Sequence, residues 1–138
     1  MIKGVGIDIV EVTRIAAAIK RIAFINRVFT PAEQQYCESR GAQRAASYAA
    51  RFAAKEAVFK ALGTGLRGGT WHDVEIKVNN LGRPLVNLTG YFAELAVKLD
   101  IQEIFISLTH AREYAAAQVV LWGGRMNEAG NNSPNAGD

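Results

Sequence analysis

Ile104-Phe105-Ile106-Ser107-Leu108-Thr109-His110-Ala111-Arg112-Glu113-Tyr114-Ala115-Ala116-Ala117-Gln118-Val119-Val120-Leu121 is the stretch that sets the fold class. Residues 104–109 and 114–121 are rich in β-branched and apolar side chains, and Ala111-Arg112-Glu113 separates them. That layout predicts an antiparallel hairpin. Upstream, residues 73–78 and 84–88 read as a second strand pair, joined across Asn79-Asn80-Leu81-Gly82, a turn composition. Residues 2–10, Ile-Lys-Gly-Val-Gly-Ile-Asp-Ile-Val, read as a further strand. Between these lie helical patterns. Residues 13–27 place Ile15, Ile19 and Ile22 on one face, with Thr13 as N-cap. Thr30-Pro31-Ala32-Glu33 opens a helix that ends near Arg40, because Thr caps, Pro suits the first position and Glu sits three beyond the cap. Residues 43–62 follow, closed by Gly63, and residues 90–100 predict a short amphipathic helix. Helices together with hairpin-linked strands predict an α+β fold with a mainly antiparallel sheet.

Composition narrows the class. The 138 residues are 49% hydrophobic and 21% charged, the balance of a globular chain rather than a disordered or fibrous one. No apolar run approaches the ~20 residues that span a bilayer, and the first residues lack a signal-peptide layout. Cys37 is the sole cysteine, which excludes an internal disulfide and a cysteine-cluster zinc site. The expectation is a reduced, cytoplasmic protein with one domain at 1–122 and a disordered tail at 123–138. The formal charge of +3 is unevenly placed, with +5 over residues 1–62 and −2 over residues 63–138. A basic first half suits an anionic partner: nucleic acid, a phosphorylated small molecule or an acidic protein.

Chemistry-bearing residues are few. Asp8 shares a strand face with Gly4 and Gly6, which leaves it uncrowded and lets another group approach the backbone. It reads either as an edge-strand or capping acid or as a ligand for a hard cation such as Mg²⁺. Glu56 lies at the edge of a helical stripe of Tyr48, Phe52, Phe59 and Leu62, with Lys60 one turn on. That pair is either solvated or, given the aromatics, partly buried and functional. Gly63-Thr64-Gly65-Leu66-Arg67-Gly68 matches G-x-G-x-x-G, but it follows a helix where the dinucleotide fingerprint requires a strand. Its backbone N–H groups remain able to cradle an anion. His72 reads as structural or exposed. His110 ends a strand beside Ser107 and Arg112 and suits a phosphate or proton chemistry. Two acids, a lysine, a glycine-rich turn and a basic helix together favour phosphoryl or phosphodiester chemistry.

Several motifs occur in one order across residues 2–121. They are Gly6-Ile7-Asp8-Ile9-Val10-Glu11 with Arg14-Ile15, Arg51-Phe52-Ala53-Ala54-Lys55-Glu56-Ala57 with Lys60-Ala61, and Gly63-Thr64-Gly65. Asn80-Leu81-Gly82-Arg83-Pro84 follows, then Ser107-Leu108-Thr109-His110 with Tyr114-Ala115-Ala116-Ala117. In this set the chain closely resembles the holo-[acyl-carrier-protein] synthases, the short bacterial type of the 4′-phosphopantetheinyl transferase superfamily.

The resemblance implies that superfamily's fold, a mainly antiparallel sheet packed against helices. It implies Mg²⁺-dependent transfer of 4′-phosphopantetheine from coenzyme A to a serine of apo acyl carrier protein, in fatty acid biosynthesis, with release of adenosine 3′,5′-bisphosphate. By the same resemblance Asp8 and Glu56 bind the metal, Lys60 holds phosphate oxygens, and Glu56 is the first choice for the base. Gly63, Thr64, Gly65, Arg83, Pro84 and His110 are implied contacts of coenzyme A. Longer superfamily members form one site between two similar halves. A single copy must complete its site by association, so the implied assembly is a homotrimer with sites at subunit interfaces.

The first helix supplies a surface for the carrier. Arg14 and Arg21 share a face, Lys20 and Arg27 lie nearby, and no acid occurs from Val12 to Pro31. With Phe24 and Ile25 as apolar contacts, this stripe suits an acidic amphipathic helix, or is simply a solvated basic face. Two competing classes are a small nucleic-acid-binding module and a non-catalytic trimeric nucleotide-binding protein. The first leaves Asp8, Glu56 and the glycine-rich loop without a role. The expected partners therefore include no nucleic acid and no membrane.

Overall fold

In the computed structural model, which describes residues 1–124, the chain runs β1 (Ile2–Glu11), α1 (Val12–Ala18), α2 (Ile22–Val28), α3 (Pro31–Glu38) and α4 (Arg44–Leu62). It continues through β2 (Val74–Val78), β3 (Pro84–Leu88), α5 (Gly90–Lys98), β4 (Ile101–His110) and β5 (Tyr114–Gly123). The tail expected from residue 123 lies, beyond Gly124, outside the described residues. The hairpin at 104–121 is present and longer than expected, and β1 adds to its free side, giving an antiparallel sheet of order β1-β5-β4. β2 and β3 form a separate antiparallel pair. Among the described residues no helix is long and apolar enough to cross a membrane.

Helix α4 covers one face of the three-stranded sheet, and its buried Tyr48, Ala53, Ala57, Val58 and Phe59 meet Val119 and Leu121 of β5 in one core. The glycines of β1 set how closely it lies. A Cβ on Gly6 would meet the carbonyl of Ala57 and stand 2.8 Å from Ala61 N, and one on Gly4 would meet the Ala61 carbonyl. Only glycine permits this approach. The group that these glycines admit is thus the α4 backbone itself.

The single helix expected over 13–27 is broken. Ile19 caps α1, and Arg21 is extended at φ −95°, ψ 115°. In one continuous helix Phe24 and Val28 would point away from the face that Ile15 and Ile19 define. With the break, Ile15, Ile19, Phe24, Ile25, Val28 and Phe29 are all buried, and Ile22 is left 67% exposed. Burying two such side chains is worth about 1.5–3 kcal/mol each, against about 1 kcal/mol net for each hydrogen bond of a lost turn. Thr13 caps nothing, because α1 already begins at Val12 with Glu11 as its N-cap.

The capping box at Thr30 forms as expected, and its glutamate does more than cap. Glu33 accepts from Thr30 N at 2.8 Å, from Ile76 N at 2.7 Å and from Lys55 Nζ at 2.9 Å. Lys55 Nζ also donates to Trp71 O at 3.0 Å and Val74 O at 2.7 Å. Both side chains are fully buried, and burial pushes the Lys55 pKa down while Glu33 holds it up. The pair joins α3, α4, β2 and the 3-10 turn Trp71–Asp73. Removing one partner strands a buried charge. Lys55→Met should therefore lower unfolding free energy by about 3–5 kcal/mol in urea titration, and Glu33→Leu/Lys55→Met should recover part of that loss. A single-variant loss below ~1 kcal/mol would refute the assignment.

Candidate active site

Asp8 is carried by β1, whose register places it opposite Ala117 of β5. Because α4 lies so close, Lys60 Nζ reaches Asp8 Oδ1 at 2.9 Å and the Ile7 carbonyl at 3.0 Å. Glu56 is one turn back on the same flank and half-buried. Its pKa is raised, first by burial and then by the nearby Asp8 charge, while Lys60 and Arg14 pull it down. Asp8, Arg14, Glu56 and Lys60 thus meet at one place, drawn from β1, α1 and α4. No group of three or more His, Cys, Asp or Glu able to hold a metal occurs among the described residues. The donor set is two carboxylates, which suits a hard cation that keeps waters and takes substrate oxygens.

Gly63 ends α4 in the left-handed conformation, at φ 81°, and Gly65 follows at φ 64°. Both glycines are exposed just past the helix carrying Glu56 and Lys60. Arg83, Pro84 and His110 are elsewhere. They line an open cleft of about 550 Å³ running along β4, beside the β2–β3 turn and the first turns of α4, a volume in the range of small-ligand sites. None of Asp8, Arg14, Glu56 or Lys60 lines it. The six expected coenzyme A contacts therefore fall into two groups, one past the C-terminus of α4 and one along the opposite edge strand of the sheet.

Two cleft residues escaped the sequence reading, Arg40 and Arg51. Arg51 is only 5% exposed, and its buried Nε has no partner among the described residues. A signal was present: an arginine inside an apolar helical stripe with no acid three or four residues away. Of the expected carrier-binding residues, Arg14 and Arg21 are exposed, whereas Phe24 and Ile25 are buried at 9% and 4% exposure. The helix break turns those two inward and leaves Ile22 outside instead. Phe24 serves the basic surface from beneath, with the Arg21 and Arg27 guanidinium groups 5.9 and 5.8 Å from its ring centroid. His72 is held in the fold by a 2.8 Å hydrogen bond to the Asn26 carbonyl.

The sheet face turned away from α4 is unusual. Val5, Ile7 and Ile9 of β1 are 54–64% exposed, and Phe105 and Trp122 lie on the neighbouring strands, 44% and 45% exposed. The register sets Val5, Val120 and Phe105 in one row across the sheet. Such a contiguous apolar face on a monomer marks an interaction surface.

The profile of the 4′-phosphopantetheinyl transferase superfamily matches residues 4–119. A holo-[acyl-carrier-protein] synthase of Koribacter versatilis is 49% identical over 124 residues, covering 88% of this chain and 98% of the relative. One from Geobacter sulfurreducens is 47% identical with the same coverage. Among solved structures, the holo-[acyl-carrier-protein] synthase of Neisseria meningitidis superposes with TM-score 0.81 at 33% identity, covering 88% of this chain and 99% of that one. The Helicobacter pylori enzyme, crystallised in complex with coenzyme A, gives 0.75 at 32% identity, covering 86% and 99%. With the acid pair, the glycine-capped helix and the cationic cleft all inside the matched span, the chain belongs to the 4′-phosphopantetheinyl transferase superfamily, among the holo-[acyl-carrier-protein] synthases.

Proposed function

We propose that this protein transfers the 4′-phosphopantetheine group of coenzyme A to a serine of apo acyl carrier protein, in cytoplasmic fatty acid biosynthesis. The observation that carries the reading is the meeting of Asp8, Glu56 and Lys60 at one flank of α4. In the reaction a serine oxygen bonds to the phosphorus next to pantetheine, the bridging P–O bond breaks, and adenosine 3′,5′-bisphosphate leaves. Asp8 and Glu56 would hold Mg²⁺, which supplies charge neutralisation for the diphosphate when bound. Their mutual repulsion, offset only by Lys60 and Arg14, is what a cation relieves. Glu56, half-buried on the flank that faces Asp8, takes the serine proton as the general base. Lys60, 54% exposed beyond its contact with Asp8, turns to phosphate oxygens as charge shifts to the leaving group. The Gly63 N–H is held by the Phe59 and Lys60 carbonyls, so further anion contacts fall to the N–H groups of Thr64 and Gly65 just beyond it.

Coenzyme A reaches the cleft of Arg83, Pro84 and His110 from a neighbouring subunit. The support is that these residues and the acid cluster sit toward opposite edge strands of one sheet, and that an apolar face is free for packing. A homotrimer satisfies both. The carrier docks on Arg14, Arg21 and Arg27, with Ile22 as the apolar contact in place of Phe24 and Ile25. Arg14 also lies close enough to influence Glu56, so the docking face adjoins the site and delivers the serine there.

The direct assay is incubation with Mg²⁺, coenzyme A and apo carrier, read by mass spectrometry as a gain of ~340 Da on the carrier. Glu56→Gln should lower kcat about 10²–10⁴-fold; near-wild-type turnover would remove both its roles. The same variant should be more stable than wild type near pH 7 without divalent cations. A carboxyl whose pKa is raised by folding is penalised above that pKa, and the penalty is absent below the unfolded value. The gain should vanish under acid conditions where both states are protonated. Arg21→Glu should raise KM for the carrier about tenfold and leave KM for coenzyme A unchanged, and a matched rise in both would exclude a docking role. Ile7→Lys should convert a trimer to an inactive monomer in sedimentation; a fully active monomer would contradict the shared site.

A further inference from the structure

Arg51 poses a physical problem that the fold alone does not solve. Its guanidinium is almost entirely buried, and among the described residues its Nε has no partner and its NH1 reaches only the Ser47 carbonyl, at 3.5 Å. Among the described residues no carboxylate lines the cleft it borders. A buried cation without an anion is costly, so this one is held for an anion that arrives from outside. What holds it is an aromatic ring. The Arg51 guanidinium lies 4.2 Å from the centroid of Tyr36, and the exposed Arg40 lies 5.4 Å from the same ring. A carboxylate in that position would fix the guanidinium but occupy its N–H groups. A ring fixes its plane by cation–π attraction and leaves the donor fork free.

We propose that Tyr36 is a specificity-determining positioning residue, whose ring aligns Arg51 and Arg40 to grip the 3′-phosphate monoester of coenzyme A. This rests on the transferase reading above. The chemistry selects that group. A terminal monoester carries nearly two charges and three free oxygens, the pattern a guanidinium fork matches bidentately. The diphosphate bridge belongs to the acid cluster, where a cation mediates. The cleft also brings Arg83 and His110 to the same anion. The contact uses the ring face and not the hydroxyl, so phenylalanine should replace tyrosine without loss.

The test is steady-state kinetics with coenzyme A and with 3′-dephospho-coenzyme A. Wild type should prefer coenzyme A. Tyr36→Leu should raise KM for coenzyme A about tenfold, the scale of a partly desolvated cation–π contact. It should leave KM for the dephospho form and both kcat values unchanged, which also shows that the variant folds. Tyr36→Phe should behave as wild type, and the surface variant Arg40→Met should show a smaller selective rise. A rise with both substrates, or with neither, overturns the role of Tyr36. Calorimetry with adenosine 3′,5′-bisphosphate and adenosine 5′-monophosphate separates this claim from the transferase reading. If wild type binds the bisphosphate more tightly and Tyr36→Leu erases the difference, the proposal stands even where no transfer is found. If wild type binds both equally, the cleft assignment falls with it.

Discussion

The approach of α4 to β1 is the constraint on which the rest depends. Gly4 and Gly6 remove the side chains that would hold a helix at ordinary distance, and Ala57 and Ala61 supply the matching small surface. At that separation Lys60, on a four-carbon stem, can reach both a strand carbonyl and the Asp8 carboxylate. A strand with any other residue at position 6 would push the helix outward, and the acid on the strand would lose its partners on the helix. The two glycines therefore act on chemistry through packing.

A second constraint sets the rotation of that helix. Lys55 points inward and finds three acceptors, Glu33, Trp71 and Val74, which satisfy its three donors. With Lys55 fixed, Glu56 falls about 100° around the axis, on the flank that faces Asp8. The pair is an expensive way to build a core, since apolar residues of similar volume often serve as well. Its geometry gives what they cannot: acceptors and donors that match in only one helix orientation.

The sequence is legible wherever local chemistry decides. The capping box at Thr30, the left-handed glycine after Leu62 and the Asn79–Gly82 turn are each specified by residues within a few positions, and each is present. The partial burial expected of Glu56 follows from its place at the edge of an aromatic stripe. What is not legible depends on partners distant in the chain. Residues 13–27 carry two apolar faces, and periodicity favours the one through Ile15, Ile19 and Ile22; the break becomes favourable when Phe24 packs against Phe29 and Phe52 and Val28 is buried. Nothing adjacent to Lys55 in the sequence marks it as buried, because its partner Glu33 comes from a different helix. The residues alone group Asp8 and Glu56 by their chemistry but not in space, because no spacing rule links a strand to a helix some fifty residues on.

The two halves of the proposed site present complementary needs. At the β1 edge two carboxylates repel each other, and two cations offset that repulsion only in part. At the β4 edge no carboxylate among the described residues lines the cleft of a buried guanidinium and its neighbours. Each arrangement is unfavourable for the free chain, and neither relieves the other: they lie toward different edges of the sheet, and no residue of the acid cluster lines the cleft. A ligand with a diphosphate bridge at one end of a nucleoside and a monoester phosphate at the other answers both needs, provided that a second copy of the chain brings its β4 edge beside the first copy's β1 edge. The monoester supplies the anion that the guanidinium lacks, and the diphosphate would meet the carboxylates with a divalent cation that neutralises both. The apolar face of the same sheet gives that association a driving force. Binding energy at the monoester, remote from the bond that breaks, is then available to hold the diphosphate in line with the attacking serine.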